Sequence, residues 1–325
     1  MSNSTVIAVL RSIRPLQWLK NLVMFAPLIF SGLLFSVQPN GLPYFVTVLY
    51  SFIIFCLVTS SVYLMNDVID YKADRLHPYK KKRPIASGEL SIPLAIFLSV
   101  VGIILAFFLS FPLNTFFKLL ILFYVVLQIV YSTKLKKIAI VDIGVIATAF
   151  VIRVYAGATV GGIHLNSWFL LTLISAALFL AVGKRQSERT LLSSSENLGQ
   201  TRHTLKSYSQ RLLDQYTSIF ATSTWLSYSL FTFQYQFIRP EQNLSILYPT
   251  LPKVLRPEKL LMFTIPIAIL GIMRYLQLIY ENNQGESPEI VLVKDKPLLI
   301  LIITLVILVI LIIYGPTALN LMYAE

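Results

Sequence analysis

The chain has 325 residues, 56% of them hydrophobic and only 13% charged, and its 27 Lys and Arg outnumber its 15 Asp and Glu. That composition excludes an ordinary water-soluble globule, in which about a quarter of residues carry charge. The net charge of +12 does not call for nucleic acid. The basic residues collect at the ends of apolar stretches, where anionic lipid and phosphate ligands account for them.

Stretches long enough to cross about 30 Å of hydrocarbon recur along the whole chain. Nine are expected, at about 20–36, 44–65, 92–111, 115–132, 139–160, 166–184, 216–237, 260–280 and 297–316. The fold class is therefore an all-α polytopic membrane protein, a bundle of about nine transmembrane helices in a single domain over 1–325. Lys and Arg crowd the N-terminus and the segments 66–91, 133–138 and 184–215, whereas 36–43, 111–114 and 157–165 carry none. The positive-inside rule then puts the N-terminus in the cytoplasm, along with the loops 66–91, 131–142 and 184–215. Those three loops form the expected mouth of the site in the cytoplasmic membrane. The 238–259 loop falls outside, despite Arg239, Lys253, Arg256 and Lys259.

Taken in chain order, the first polar group is Arg14-Pro15-x-x-Trp18-x-Lys20-Asn21. Arg14, Trp18 and Asn21 share a helical face, and Pro15 suits a first turn. This face either anchors a span at the interface or offers Arg14, Lys20 and Asn21 to a phosphate.

Next comes Asn66-Asp67-Val68-Ile69-Asp70-Tyr71-Lys72-Ala73-Asp74, where a long apolar helix leaves the membrane. Spacings of three and four set Asp67, Asp70 and Asp74 on one helical face, with Asn66 at its edge. Like charges held together at a membrane edge point to a divalent cation between them. Mg²⁺ is usually held by one or two carboxylates plus phosphate oxygens. The three aspartates, with Asn66, are the expected metal ligands and the catalytic centre.

Lys80-Lys81-Lys82-Arg83-Pro84 follows. A lysine run serves as a membrane anchor, and Lys81 is read so. Arg83 differs because the rigid Pro84 fixes its direction and a guanidinium makes paired contacts to phosphate. Arg83 and Lys80 are expected on the donor phosphates, and His77 is read as structural. Tyr131, Lys134 and Lys136 lie close before Asp142 at the start of another span. They form either an anchored turn or a second phosphate site, with Asp142 on metal or on a sugar hydroxyl. Arg153 lies well inside an apolar span, so it should face the interior and pair with an acid or a phosphate. Lys184 and Arg185 are snorkelling anchors or phosphate ligands.

At these residues the chain resembles the UbiA superfamily of intramembrane prenyltransferases, whose hallmark N-D-x-x-D-x-x-x-D is matched from Asn66 to Asp74. Further matches run from Arg14 to Asn21, from Asn66 to Gly88, from Tyr131 to Asp142, at Gly183-Lys184-Arg185, from Phe263 to Tyr275 and at Ser287-Pro288-Glu289. With these the resemblance narrows to the decaprenyl-phosphate phosphoribosyltransferase branch. It implies Mg²⁺-dependent transfer of 5-phosphoribosyl from phosphoribosyl pyrophosphate to a polyprenyl phosphate, releasing pyrophosphate, in cell-wall biosynthesis. Membrane lipid is the other implied partner, and a homo-oligomer is left open. Prenyl-diphosphate users in the superfamily carry a second aspartate-rich motif. Here the matching region offers Asp142 among lysines, which suits a metal-free monophosphate. The alternative is transfer of a prenyl chain from a prenyl diphosphate to an aromatic acceptor.

Overall fold

A computed structural model describes residues 3–76, 80–193, 207–235, 257–281, 291 and 293–323. His77, Ser287-Pro288-Glu289 and most of the 238–259 loop lie outside the described residues. The described chain is almost wholly helical. In order the helices are α1 (Asn3–Ile13), α2 (Ala26–Phe30), α3 (Tyr44–Leu76), α4 (Pro84–Ser87), α5 (Ile92–Leu109), α6 (Thr115–Thr133), α7 (Val141–Val160), α8 (Ser167–Ser193), α9 (Gln210–Gln234), α10 (Pro257–Leu260), α11 (Ile265–Tyr280) and α12 (Lys296–Tyr323). Short 3₁₀ segments join several of them, and an unusually long one, Pro15–Phe25, follows α1.

Among the described residues, seven helical stretches are long and apolar enough to cross a membrane. They comprise α3, α5, α6, α7, most of α8, Leu261–Tyr280 and Lys296–Gly315. The protein is an integral membrane protein. Helix α5 shows why: Phe97, Ile104 and Phe108 stand well exposed, a patch that water would penalise and lipid accommodates.

Two of the nine expected spans take another form. Residues 20–36 are divided between the 3₁₀ segment and the five-residue α2, which Gly32 at φ 76° ends. Pro27 sits near the start of α2 because it lacks the N–H that a helix interior requires. The span expected at 216–237 is the 25-residue helix α9, too rich in Ser and Thr to rank with the seven. Its hydroxyls bond back to their own helix: Thr217 to Leu213, Thr224 to Phe220 and Ser227 to Ser223 carbonyls at 2.6–2.8 Å. Such bonds satisfy polar groups without water.

The chain divides into two compact units interleaved in sequence. One comprises Met1–Phe25, Val46–Gly162 and Leu191–Ser209; the other comprises Ala26–Phe45, Ile163–Thr190 and Gln210–Glu325. In the first, α7 lies directly on the Pro15–Phe25 segment at Gly157, where a Cβ would fall 1.9 Å from the Met24 carbonyl oxygen. Small residues permit this close approach of backbones in membranes. Ala8, Leu64, Ile85, Leu90 and Ala95 form an apolar cluster that seats α1 and α4 against α3 and α5. In the second unit, Phe179, Tyr275, Leu278, Ile279 and Leu298 join α8, α11 and α12.

Candidate active site

The acidic motif stays helical. Residues 66–76 belong to α3 rather than to a loop, since no Pro or Gly interrupts the run before Pro78. Asp67 and Asp74 are 2% and 5% exposed, and Asp70 lies half-buried between them. Each carboxylate meets a cation from elsewhere in the first unit.

Arg83 comes from the turn before α4. Its backbone is extended (φ −67°, ψ 141°), as the following Pro84 requires, and Arg75 Nε donates to the Ala86 carbonyl at 3.1 Å, tying α4 to α3. Arg83 Nη1 donates to Asp67 Oδ1 at 3.0 Å and to Asp74 Oδ2 at 2.6 Å. Arg14 Nη2 donates to the same Asp67 oxygen at 2.5 Å, and its guanidinium lies over the Tyr63 ring, 5.3 Å from the centroid. Lys136, in the 3₁₀ turn between α6 and α7, pairs with Asp70. Asn66 Oδ1 accepts from Ser132 Oγ at 2.6 Å, so α6 steadies the start of the motif.

Two backbone outliers flank this arrangement. Arg14 has φ 55° and Ile140 has φ 70°, conformations that L-residues with side chains adopt at a cost of about 1–3 kcal/mol. Ile140 precedes α7, where Tyr208 OH accepts from the Ile140 N–H and donates to Asp142 Oδ1 at 2.6 Å. Asp142 is fully buried. Its contact with Tyr208 ties the 207–209 segment to the α7 N-terminus. Tyr208 was not foreseen; a single tyrosine in a polar stretch carries no spacing signal.

Other expected site residues take different places. Asn21 is fully buried. Its Nδ2 donates to Thr59 Oγ1 at 3.2 Å and Cys56 Sγ at 3.3 Å, and its Oδ1 accepts from Arg153 Nε at 2.8 Å. Arg153 is buried, as expected, but its partners here are neutral. Besides Asn21 it donates to the Ala149 carbonyl at 2.6 Å and Tyr124 OH at 2.8 Å. Thr59 and Asp67 are eight residues apart on α3, a rise of about 12 Å along the helix. Lys20 Nζ donates to Gln17 Oε1 at 2.6 Å. Lys134 is exposed, while Tyr131 and Lys80 are half-buried. In the second unit, Lys184 and Arg185 fall within α8 rather than in a loop, and the buried Arg185 pairs with Glu188.

Among the described residues, no three acidic, His or Cys side chains converge closely enough to hold a metal ion as they stand. Two carboxylates do converge on one cationic nitrogen, that of Arg83. Two hard oxygen donors completed by substrate phosphate are what Mg²⁺ ordinarily takes, so the donor set suits the ion.

A family model described as the UbiA prenyltransferase family matches residues 24–189, just over half the chain. The chain belongs to the UbiA prenyltransferase family. It is thus an enzyme of the transferase class. Among UbiA relatives, the decaprenyl-phosphate phosphoribosyltransferase of Mycolicibacterium smegmatis is 33% identical over 302 residues, covering 91% of this chain and 89% of that one. The Mycobacterium tuberculosis protein of the same name is 37% identical over 231 residues, covering 70% and 75%. The UbiA fold is shared with a UbiA homologue from Archaeoglobus fulgidus bound to GPP and Mg²⁺. The TM-score is 0.65 at 19% identity, over 94% of this chain and 99% of that one.

Proposed function

We propose that this protein transfers 5-phosphoribosyl from phosphoribosyl pyrophosphate to a polyprenyl phosphate, releasing pyrophosphate, at the cytoplasmic face of the cytoplasmic membrane. The observation that carries this reading is a single acidic cluster among the described residues, on α3, set among cations. Asp142, the acid in the region where a second cluster would be sought, is buried against Tyr208. One carboxylate cluster serves one metal–diphosphate, and the lysines nearby suit a monophosphate acceptor. The names borne by the mycobacterial relatives support the same choice of substrates.

Asp67, Asp70 and Asp74 would hold Mg²⁺. When bound, the ion would offset the negative charge that builds on the pyrophosphate leaving group. Arg83, with Lys80 from the turn beside it, would hold the donor's phosphates, with the bidentate geometry that guanidinium offers. Lys136, with Arg14 and Lys134, would hold the lipid phosphate. In the reaction the bond from the anomeric carbon to the pyrophosphate oxygen breaks, and one forms to an oxygen of the lipid phosphate. That oxygen is already anionic near neutral pH, so no general base is required. Positioning of the two substrates would then account for much of the rate. Arg153 and Asn21, hydrogen-bonded to each other, would brace the Pro15–Phe25 segment that delivers Arg14.

The test is purified protein in detergent with radiolabelled phosphoribosyl pyrophosphate, Mg²⁺ and a polyprenyl phosphate, following label into the organic phase. We expect Mg²⁺-dependent transfer, lost by at least a hundredfold in Asp70→Ala with the variant still monodisperse. Incorporation of a prenyl diphosphate into an aromatic acid, with no ribosyl transfer, would instead favour the prenyltransferase alternative.

A further inference from the structure

Arg83 occupies the carboxylates that an ion would have to take. One nitrogen, Nη1, reaches both Asp67 and Asp74, at 3.0 and 2.6 Å. Its side chain is 24% exposed, whereas those of the two aspartates are 2% and 7% exposed. Arg14, 22% exposed, pairs with the same Asp67 oxygen. The carboxylates are thus shielded, and the shielding groups themselves reach solvent. Asp67 and Asp74 bring two negative charges, and Arg83 and Arg14 bring two positive ones. A divalent cation added alone would leave the half-buried group at a net +2, with a guanidinium displaced beside it. In so poor a solvent for charge, that repulsion is costly. If the ion arrives with a diphosphate, the guanidinium acquires a new anionic partner.

We propose that Arg83 is an exchangeable counter-ion. It bars free divalent metal from Asp67 and Asp74, and it moves from those carboxylates onto the diphosphate when metal and donor bind together. Metal and diphosphate are then thermodynamically linked through this one side chain, each raising the affinity for the other by the same factor. Pro84 keeps the displaced side chain within reach of the site by holding the backbone of Arg83 extended. The proposal rests on reading the acidic cluster as the donor's metal site.

The experiment is equilibrium dialysis of the full chain in detergent with radioactive Mn²⁺, with and without pyrophosphate, correcting for the metal that pyrophosphate binds in free solution. For the wild type we expect weak retention of Mn²⁺ alone and at least about tenfold tighter retention with pyrophosphate. Arg83→Gln, which keeps hydrogen-bonding capacity but loses charge, should bind Mn²⁺ alone about tenfold more tightly than wild type. It should also gain much less from pyrophosphate. Arg83→Lys, which keeps the charge, should stay near wild type for Mn²⁺ alone. Equal retention by wild type in both conditions would overturn the exchange while leaving the metal site intact. So would Arg83→Gln binding Mn²⁺ no more tightly than wild type does. Wild-type retention persisting in the Asp67→Asn, Asp74→Asn double variant would overturn the exchange and the metal-site reading together. The wild-type comparison stands even if Arg83→Gln fails to fold.

Discussion

Arg153 is 3% exposed, and nothing but neutral groups receives its hydrogen bonds among those described above. Three features make that tolerable. Its guanidinium donates to Asn21, Ala149 and Tyr124, and it lies over the Tyr124 and Phe150 rings at 5.1 and 5.5 Å. Face-on aromatic contact is worth most where water is excluded. A charge deep in an apolar run was legible from the chain alone; its partners were not, because they come from segments 29 and 132 residues away. Asn21→Ala removes an acceptor from this buried donor and should cost about 1–3 kcal/mol of stability, read as a lower unfolding temperature in detergent. Were Asn21 a lipid-phosphate ligand, the same change would raise KM for the lipid and leave the unfolding temperature in place.

At the scale of elements, close approach and capping decide the outcome. Gly157→Ala pushes a methyl group into the Met24 carbonyl, where the neighbour is backbone and cannot swing aside. The Pro15–Phe25 segment or α7 must shift, at a cost of about 1–3 kcal/mol. Because that segment follows directly on Arg14, transferase activity should fall along with thermal stability. Asp295 caps α12 by accepting from the Leu298 N–H at 2.9 Å, and Arg274 holds both its oxygens, at 3.1 and 2.7 Å. Those hydrogen bonds from Arg274 come first in holding the Asp295 carboxyl below the usual carboxylate range, and the Leu298 N–H adds to them. A depressed carboxyl stabilises the fold above its ordinary value of about 3.9 and loses that contribution as pH falls through the lower folded value. Thermal stability should therefore decline as pH is lowered below about 4. Arg274→Leu should show a shallower decline over the same window, since the unpaired carboxyl titrates nearer its ordinary value.

At the scale of the molecule, the basic segments predict a single orientation. Cys56 is the chain's one cysteine, and it is buried in α3. In a Cys56→Ser background, Lys81→Cys should react with a membrane-impermeant maleimide in inverted vesicles and not in intact cells. The opposite pattern would reverse the orientation and move the proposed site to the outer face. Of the nine spans read from hydropathy, those at 20–36 and 216–237 take another form, for opposite reasons. The first is apolar but wound too tightly to count as an α-helical span, and the second is long but studded with hydroxyls that its own backbone satisfies.

What the chain determined unaided is whatever depends on local order. Apolar length set the membrane class, the three-and-four spacing from Asn66 to Asp74 set one acidic face, and Pro84 set the extended backbone at Arg83. These properties arise within a few residues, so they survive without knowledge of the fold. Tertiary structure alone decided which cation meets which carboxylate. It placed Arg14 and Arg83 on Asp67 and Lys136 on Asp70, and it turned Asp142 to Tyr208 and Asn21 to Arg153. Each of those pairs joins positions 16 to 132 residues apart. Charge alone does not choose among the basic residues near a membrane surface; the packing of α4, α6 and α7 around α3 does.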